Sequence, residues 1–212
     1  MTTTQPSLAR EIEAAARDGV RLIVSADTGI RDHQALARAA ALGVDVIVTD
    51  HHLPERGLPP ALAILNPKRP DCSYPERELC GAGVAFRLIE ALLGELGWPE
   101  ARRRRMLASL SKLVAIATVA DVVPLTGENR ILVKHGLEGL GDVRNPGLRA
   151  LLEVAGFARG EAPSAHQVAF RIAPRLNAAG RMDDAAEVIE LLLTADEGRA
   201  RELASKLHSL NR

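Results

Sequence analysis

The sequence is poor in aromatic residues and cysteine, and it carries no net charge. Of its 212 residues, 2% are aromatic and two are cysteines, while 27 basic residues balance 27 acidic ones. So few aromatic side chains provide few candidates for the base-stacking residues that single-strand-binding proteins use. Zero net charge argues against a protein that binds nucleic acid through its overall charge, although it leaves room for a local basic groove.

Two further absences bear on compartment and membranes. Cys72 and Cys80 are too few for a zinc ribbon, and two reduced cysteines are typical of a cytosolic protein. The chain has no run of about 18 apolar residues, and its first residues lack the apolar core of a signal peptide. We therefore expect a cytoplasmic protein that does not associate with membranes.

Apolar strand-like segments alternate with helices in the first part of the chain. Length and Val/Ile content predict strands over residues 20–26, 44–49 and 61–65, with helices over 8–18 and 33–42. This alternation predicts parallel strands joined by right-handed crossovers. The expected fold class is therefore α/β, with a parallel β-sheet flanked by helices.

After Gly83 the pattern becomes helical. Helices are predicted over residues 84–96, from Pro99 onward, and over 128–140, 146–154, 183–193 and 196–210. We expect two parts, an α/β metal-binding core over residues 1–80 and a mostly helical segment over residues 81–212.

Acidic and imidazole side chains follow two of the predicted strands. Asp27 comes directly after the first strand, and Asp50, His51 and His52 come directly after the second. Because parallel strands end at one edge of a sheet, these four residues are expected to converge. Carboxylate and imidazole together suit Mn²⁺ or a similar ion. Asp27 also fits a turn or N-cap residue, and adjacent histidines occur on solvated loops, but one cap does not explain all three residues of Asp50–His52.

Other segments have both a functional and a purely structural interpretation. Asp121 ends the apolar segment LVAIATVAD, where an acid serves either as a ligand or as a cap. Gly81 and Gly83 open a predicted helix, whose first N–H groups suit phosphate, although glycine is common before helices. Arg175 lies with Asn177 and Arg181 in FRIAPRLNAAGRM. Arginine forks bind phosphate, but ordinary surface charges explain this segment equally well.

Five motifs in order carry a resemblance to a known family. They are VIVTDHH, LPPALAILNP, LCGAGVAFRL, ATVADVVPL and RIAPRLNAAGRM. Together they closely resemble the DHH phosphoesterase superfamily and, within it, the RecJ-type single-strand-specific 5′→3′ DNA exonucleases. The likeness covers about residues 17–212. It implies a DHH-type domain that holds two Mn²⁺ or Mg²⁺ ions and hydrolyses single-stranded DNA by in-line displacement, in DNA repair and recombination.

The resemblance also implies roles for individual residues. Asp27 would bridge the two ions, and His51 and Asp121 would be ligands of one of them. His52 would contact metal or the scissile phosphate, and Asp50 would orient a neighbouring histidine. Phosphate contacts are implied for Arg175, Asn177 and Arg181. With the helix-opening glycines, the candidate phosphate or nucleic-acid contacts are Gly81, Gly83, Arg175, Asn177 and Arg181.

The chain departs from the family pattern in two places. Family members carry an earlier strand ending in a D-x-D motif and a later domain that grips nucleic acid, and neither is found in this sequence. We therefore expect an incomplete fragment with little activity alone. Two alternatives stay open: another DHH phosphodiesterase acting on short oligonucleotides, and a non-catalytic DHH-type nucleic-acid-binding protein. GAGVAFRL and RLNAAGRM favour the exonuclease branch.

Overall fold

The computed structural model describes residues 6–55, 57–180 and 185–211. These residues form two compact units, the first ending at Gly97 and the second beginning at Trp98. The elements of the first unit are α1 (Pro6–Arg17), β1 (Leu22–Ala26), α2 (His33–Ala41), β2 (Asp45–Thr49), β3 (Ala63–Leu65) and α3 (Gly81–Glu95). Each strand begins one or two residues after its predicted start and ends at the predicted residue. The predicted division after residue 80 stays a prediction.

The three strands form one parallel sheet in the order β1-β2-β3. In the register of the sheet, Ala26 pairs with Thr49, and Thr49 pairs with Leu65. Each of these residues is the last of its strand. All three strands therefore end at one level, and the residues that follow them emerge side by side at the carboxyl edge. This parallel arrangement confirms the predicted α/β fold class.

Helices α1 and α2 cover one face of the sheet. Val46 and Val48 alternate along β2 and are buried, together with Ile12 of α1 and Leu36 of α2. Burial of such a side chain contributes about 1.5–3 kcal/mol relative to exposure. This alternation explains why β2 has a fixed register: a slip of one residue would turn Val46 and Val48 to the opposite face. The packing thus fixes the end of β2 and with it the position of Asp50.

The second unit is helical throughout the residues described. Its elements are α4 (Glu100–Ala120), α5 (Gly127–Gly139), α6 (Pro146–Val154), α7 (Ala165–Gln167), a π-helical turn (Val168–Ile172), α8 (Ala173–Gly180), α9 (Ala185–Leu193) and α10 (Glu197–Leu210). Its core contains the fully buried side chains of Leu151, Ile172, Leu191 and Leu207. The predicted change to helical structure is confirmed. Among the described helices, none is long and apolar enough to cross a membrane.

Candidate metal centre

Polar residues follow all three strands at the carboxyl edge of the sheet. Asp27 follows β1, Asp50 follows β2, and Asn66 follows β3. The parallel ladder continues one residue beyond the strands, because the Asp27 N–H donates to Thr49 O at 2.8 Å and the Asp50 N–H donates to Leu65 O at 3.0 Å. These backbone hydrogen bonds fix the positions from which the Asp27 and Asp50 side chains leave the edge of the sheet.

Asp27 turns the chain out of β1 in an unusual conformation. Its φ is 63°, in the left-handed region that few residues other than glycine adopt. Its side chain is 61% exposed, and its Oδ1 lies 3.1 Å from Nε2 of the buried His51. Such conformations cluster at functional sites, where the surrounding structure enforces them. The turn thus presents an accessible carboxylate beside a buried imidazole.

Gly81 leaves the space that the Asp27 carboxylate occupies. A β-carbon at Gly81 would lie 2.5 Å from Cγ and 2.7 Å from Cβ of Asp27, distances that real β-carbons do not show. At Gly83 it would lie 3.3 Å from Cδ2 of Leu79, which demands only a small shift. Gly81 is the first residue of α3, and the positive end of a helix favours a nearby carboxylate. Gly81 is therefore needed to admit Asp27, whereas its predicted contact with phosphate stays a prediction, as does that of Gly83.

Asp50 is 1% exposed, and its carboxylate accepts hydrogen bonds from the backbone of the loop that follows it. Its Oδ2 accepts the N–H of Ile30 at 3.0 Å, and its Oδ1 accepts the N–H groups of His51 at 2.7 Å and His52 at 3.1 Å. Burial alone would raise the pKa of Asp50. Hydrogen bonds from the Ile30 N–H, the His52 ring and the N–H groups of His52 and His51 outweigh burial and hold the pKa below its usual value. Asp50 is therefore an inward-facing carboxylate.

The buried carboxylate also orients His52. Asp50 Oδ1 lies 2.7 Å from Nδ1 of His52. Because an ionised carboxylate only accepts hydrogen bonds, Nδ1 of His52 is the donor, which leaves Nε2 as the ring nitrogen that can bind an ion. Metal-binding histidines commonly donate one ring N–H to a carboxylate in this way. The pair leaves Nε2 of a half-exposed imidazole as the donor atom.

Three side chains offer ligand atoms at one place. Asp27, His51 and His52 each supply one such atom, and these atoms all lie within 4.8 Å of one another. The two imidazole rings are 4.6 Å apart between centroids and inclined at 59°. One carboxylate with two imidazoles is a donor set that fits a divalent transition-metal ion. The predicted convergence of Asp27 with the residues after β2 is thus present in the structure.

Asn66 is a residue of this site to which the sequence analysis assigned no role. It is buried, and its Nδ2 donates to the carbonyl oxygen of His52 at 2.8 Å. Its Oδ1 accepts the N–H of Lys68, also at 2.8 Å. Asn66 thereby ties the end of β3 to the backbone of the histidine loop. Its place directly after a strand was the signal, the same one that pointed to Asp27 and Asp50.

Asp121 lies in the second unit, at the C-terminal cap of α4. The next residue, Val122, has a φ of 57° and is 86% exposed. A left-handed conformation is costly for a β-branched residue, so this turn is not the one that the local sequence favours. The role of Asp121 as a metal ligand stays a prediction.

The predicted phosphate contacts that the structure describes lie on α8. Arg175 is half-buried and Asn177 is exposed on this helix, while Arg181 lies outside the described residues. Arg171 is tied to the end of α6: its Nε donates to Ala155 O at 2.9 Å, and its guanidinium lies 4.1 Å from the centroid of the Phe157 ring. Arg171 thus has a structural role. Phosphate binding by Arg175, Asn177 and Arg181 stays a prediction.

We expect Asp50→Asn to destabilise the first unit by about 1.5–3 kcal/mol at neutral pH, the range for hydrogen bonds to a charged group. The lowered pKa means that this stabilisation exists above the unfolded value of about 3.9 and is lost as pH falls through the lower folded value. The difference between wild type and Asp50→Asn should therefore shrink below about pH 4. Urea denaturation in metal-free buffer at several pH values measures it.

The matched control is Asp45→Asn, since Asp45 is exposed at the other end of the same strand. It should leave the free energy of unfolding nearly unchanged. An Asp50→Asn variant that is as stable as wild type at neutral pH would contradict the assigned hydrogen-bond role of the buried carboxylate.

A parallel sheet with carboxylate and imidazole ligands at its carboxyl edge defines an α/β protein with a candidate metal centre at the strand ends. The chain belongs to the DHH family: the profile of the DHH family, N-terminal domain, matches residues 3–118. This match covers more than half of the chain, and it confirms the family resemblance seen in the motifs.

Known relatives and solved structures agree with this family assignment. The chain is 46% identical over 207 residues to the single-stranded-DNA-specific exonuclease RecJ of Escherichia coli, covering 94% of this chain and 36% of that protein. The crystal structure of RecJ in complex with Mn²⁺ from Thermus thermophilus is similar, with a TM-score of 0.82 and 41% identity over 96% of this chain and 29% of that one. A crystal structure of exonuclease RecJ bound to manganese has a TM-score of 0.79 and 40% identity, covering 93% of this chain and 49% of that one. The chain thus spans 36% of the length of the Escherichia coli relative.

Proposed function

We propose that this chain carries the metal-binding core of a single-stranded-DNA-specific 5′→3′ exonuclease that acts in cytoplasmic DNA repair and recombination. Asp27 and His51 would hold a Mn²⁺ or Mg²⁺ ion, with Asp121 as a further ligand. His52 would serve beside them as a ligand or as the contact to the scissile phosphate. The observation that carries this proposal is the convergence of Asp27, His51 and His52 at the carboxyl edge of a parallel sheet. The names of the relatives support the substrate class.

A bound divalent ion would polarise a phosphoryl oxygen and lower the pKa of a water molecule. The residues of the chain prepare the site for it. Asp50 fixes the His52 proton on Nδ1, and Asn66 anchors the His52 carbonyl group. Ligands held by such contacts need little reorganisation when an ion or a phosphate arrives, which is how preorganised sites gain their advantage.

The Asp50–His52 pair favours an enzyme over a relative that only binds nucleic acid. A buried carboxylate that fixes the tautomer of a half-exposed imidazole gives that imidazole a defined donor atom. Contact with a DNA backbone alone needs no such arrangement, because phosphate is bound by cations and N–H donors. The alternative of another DHH phosphodiesterase shares this site and is separated by substrate length in the assay below.

A chimera tests the proposal. The segment of the Escherichia coli relative that aligns with this chain is replaced by the chain, and degradation of 5′-phosphorylated single-stranded DNA is followed with Mn²⁺ and with EDTA. We expect Mn²⁺-dependent degradation of long single strands from the 5′ end, little degradation of duplex, and loss of activity by about 100-fold or more in His51→Ala.

His135→Ala is the matched control, because His135 is an exposed histidine on α5, and its replacement should leave the rate unchanged. A folded chimera that binds Mn²⁺ and cuts only short oligonucleotides would favour the other phosphodiesterase. A chimera that degrades DNA equally well with His51→Ala would overturn the proposed role of the site.

A further inference from the structure

Arg175 carries a charge that no carboxylate offsets within the described part of the chain. Its side chain is half-buried, and it donates to two neutral acceptors, the carbonyl oxygen of Arg171 and the ring of His208. Burial lowers the pKa of Arg175, and the charge of Arg171 lowers it further. An anion beside the guanidinium would favour its charged form and so oppose both effects, which suits this arginine to a phosphate group.

His208 holds Arg175 without cancelling its charge. Nε and Nη2 of Arg175 each lie 3.1 Å from Nδ1 of His208, which is on α10. A guanidinium has only donors, so Nδ1 must be the acceptor and the ring proton must be on Nε2. The imidazole is therefore neutral in this arrangement. An aspartate in the same place would also orient the guanidinium, but its negative charge would compete with phosphate.

The second acceptor comes from the helix that leads into α8. Arg171 lies in the π-helical turn, and its carbonyl oxygen accepts from Nη1 of Arg175. The Arg171 side chain is itself held by Ala155 and Phe157. Arg175 is thus fixed from two sides, by the preceding turn and by α10. π-Helical turns are rare in proteins, and those that do occur are often found at functional sites.

We propose that His208 is a positioning residue for Arg175: its neutral Nδ1 holds the guanidinium in place for a phosphate group of the DNA strand and adds no negative charge that would compete with the phosphate. This inference rests on the proposed function, because it takes Arg175 as a phosphate contact. His208 itself need not touch the DNA.

Three substitutions separate orientation from charge. His208→Asn keeps a neutral acceptor near the position of Nδ1, His208→Ala removes the acceptor, and His208→Asp supplies an acceptor with a negative charge. If His208 only stabilised the fold, the ion pair formed by His208→Asp would replace the lost hydrogen bond, and binding of DNA would follow thermal stability. If His208 positions a charged Arg175, His208→Asp should weaken DNA binding although the variant stays folded.

The measurement is binding of a 3′-fluorescein-labelled, 5′-phosphorylated oligothymidylate to the 212-residue chain, followed by fluorescence anisotropy at low salt in EDTA. EDTA prevents cleavage and removes any contribution of the metal centre. We expect Kd to rise about three- to tenfold in His208→Ala and His208→Asp, the effect of losing one hydrogen bond or one phosphate contact, and to stay near wild type in His208→Asn. The thermal midpoint of each variant is measured in parallel.

Arg175→Ala distinguishes failure of this inference from failure of the proposed function. If Arg175→Ala weakens binding while His208→Ala and His208→Asp bind like wild type, the positioning role is wrong and the phosphate contact stands. If Arg175→Ala binds like wild type, the phosphate contact is wrong and the inference falls with it. Weakening by His208→Asn equal to that by His208→Ala also overturns the inference. Should His208→Ala not fold, the comparison between His208→Asn and His208→Asp decides.

Discussion

Replacing Gly81 with alanine is expected to lower the affinity of the chain for Mn²⁺ by about 10- to 100-fold, the usual loss when the support of a ligand is removed. The added β-carbon would lie 2.7 Å from the Asp27 β-carbon, so rotation of the Asp27 side chain cannot relieve the collision. The carboxylate would have to move away from its place 3.1 Å from His51. Calorimetric titration with MnCl₂ measures the change.

Gly83→Ala is the matched control for this experiment. Both glycines lie in the first turn of α3, and at both positions alanine raises helix propensity by about 1 kcal/mol. At Gly83 the shortest contact of the new β-carbon is with a leucine methyl group at 3.3 Å, and its next contacts, at 3.5 and 3.8 Å, are ordinary van der Waals distances. Gly83→Ala should therefore bind Mn²⁺ like wild type. Equal affinities in Gly81→Ala and wild type would contradict the assigned fit between α3 and Asp27.

Asp27→Asn is expected to abolish most Mn²⁺ binding while leaving the fold intact. The substitution keeps the shape of the side chain but removes the charge of the only carboxylate in the Asp27, His51 and His52 cluster. Asparagine tolerates the left-handed φ of 63° at this position at least as well as aspartate does. We expect a loss of about 100-fold or more in affinity with a free energy of unfolding equal to or slightly above that of wild type.

Calorimetry and urea denaturation of the same samples test both parts of this expectation. Asp45→Asn, which removes an exposed carboxylate from the other end of β2, should change neither quantity. If Asp27→Asn binds Mn²⁺ as tightly as wild type, Asp27 is a turn residue and the ion, if any, is held elsewhere. If it unfolds, the carboxylate is needed for the fold as well as for the ion.

Local sequence patterns predicted the sheet and the convergence of its edge residues well. Strands made of β-branched residues end where polar residues begin, and parallel pairing then brings Asp27 and Asp50 to one edge whatever their separation in sequence. The start of α3 was harder: the structure begins this helix at Gly81, whereas the pattern predicted Val84. Glycine has low helix propensity, so the sequence signal weakens where the close approach to Asp27 requires glycine.

Contacts between distant segments were beyond sequence reasoning. Nothing local indicates that Gly81 makes room for Asp27, or that Asn66 holds the His52 backbone, because both depend on tertiary approach. The same holds for the arginines near α8. Arg171 and Arg175 lie four residues apart in the segment FRIAPRLNAAGRM, and only the structure shows that Arg171 is tied to Ala155 and Phe157, whereas Arg175 meets no carboxylate among the described residues.

The central claim is that Asp27 and His51, with His52 beside them, hold a divalent ion at the carboxyl edge of the sheet. Electron spin echo envelope modulation of the Mn²⁺-loaded chain tests it most directly, because it detects imidazole nitrogen bonded to the ion. The account predicts nitrogen modulation in the wild-type chain, its reduction or loss in His51→Ala, and no change in His135→Ala. If His52→Ala also reduces the nitrogen modulation relative to wild type, His52 is a ligand of the ion. If His52→Ala leaves the modulation unchanged, His52 remains the candidate phosphate contact. Mn²⁺ bound without any imidazole modulation would contradict the account.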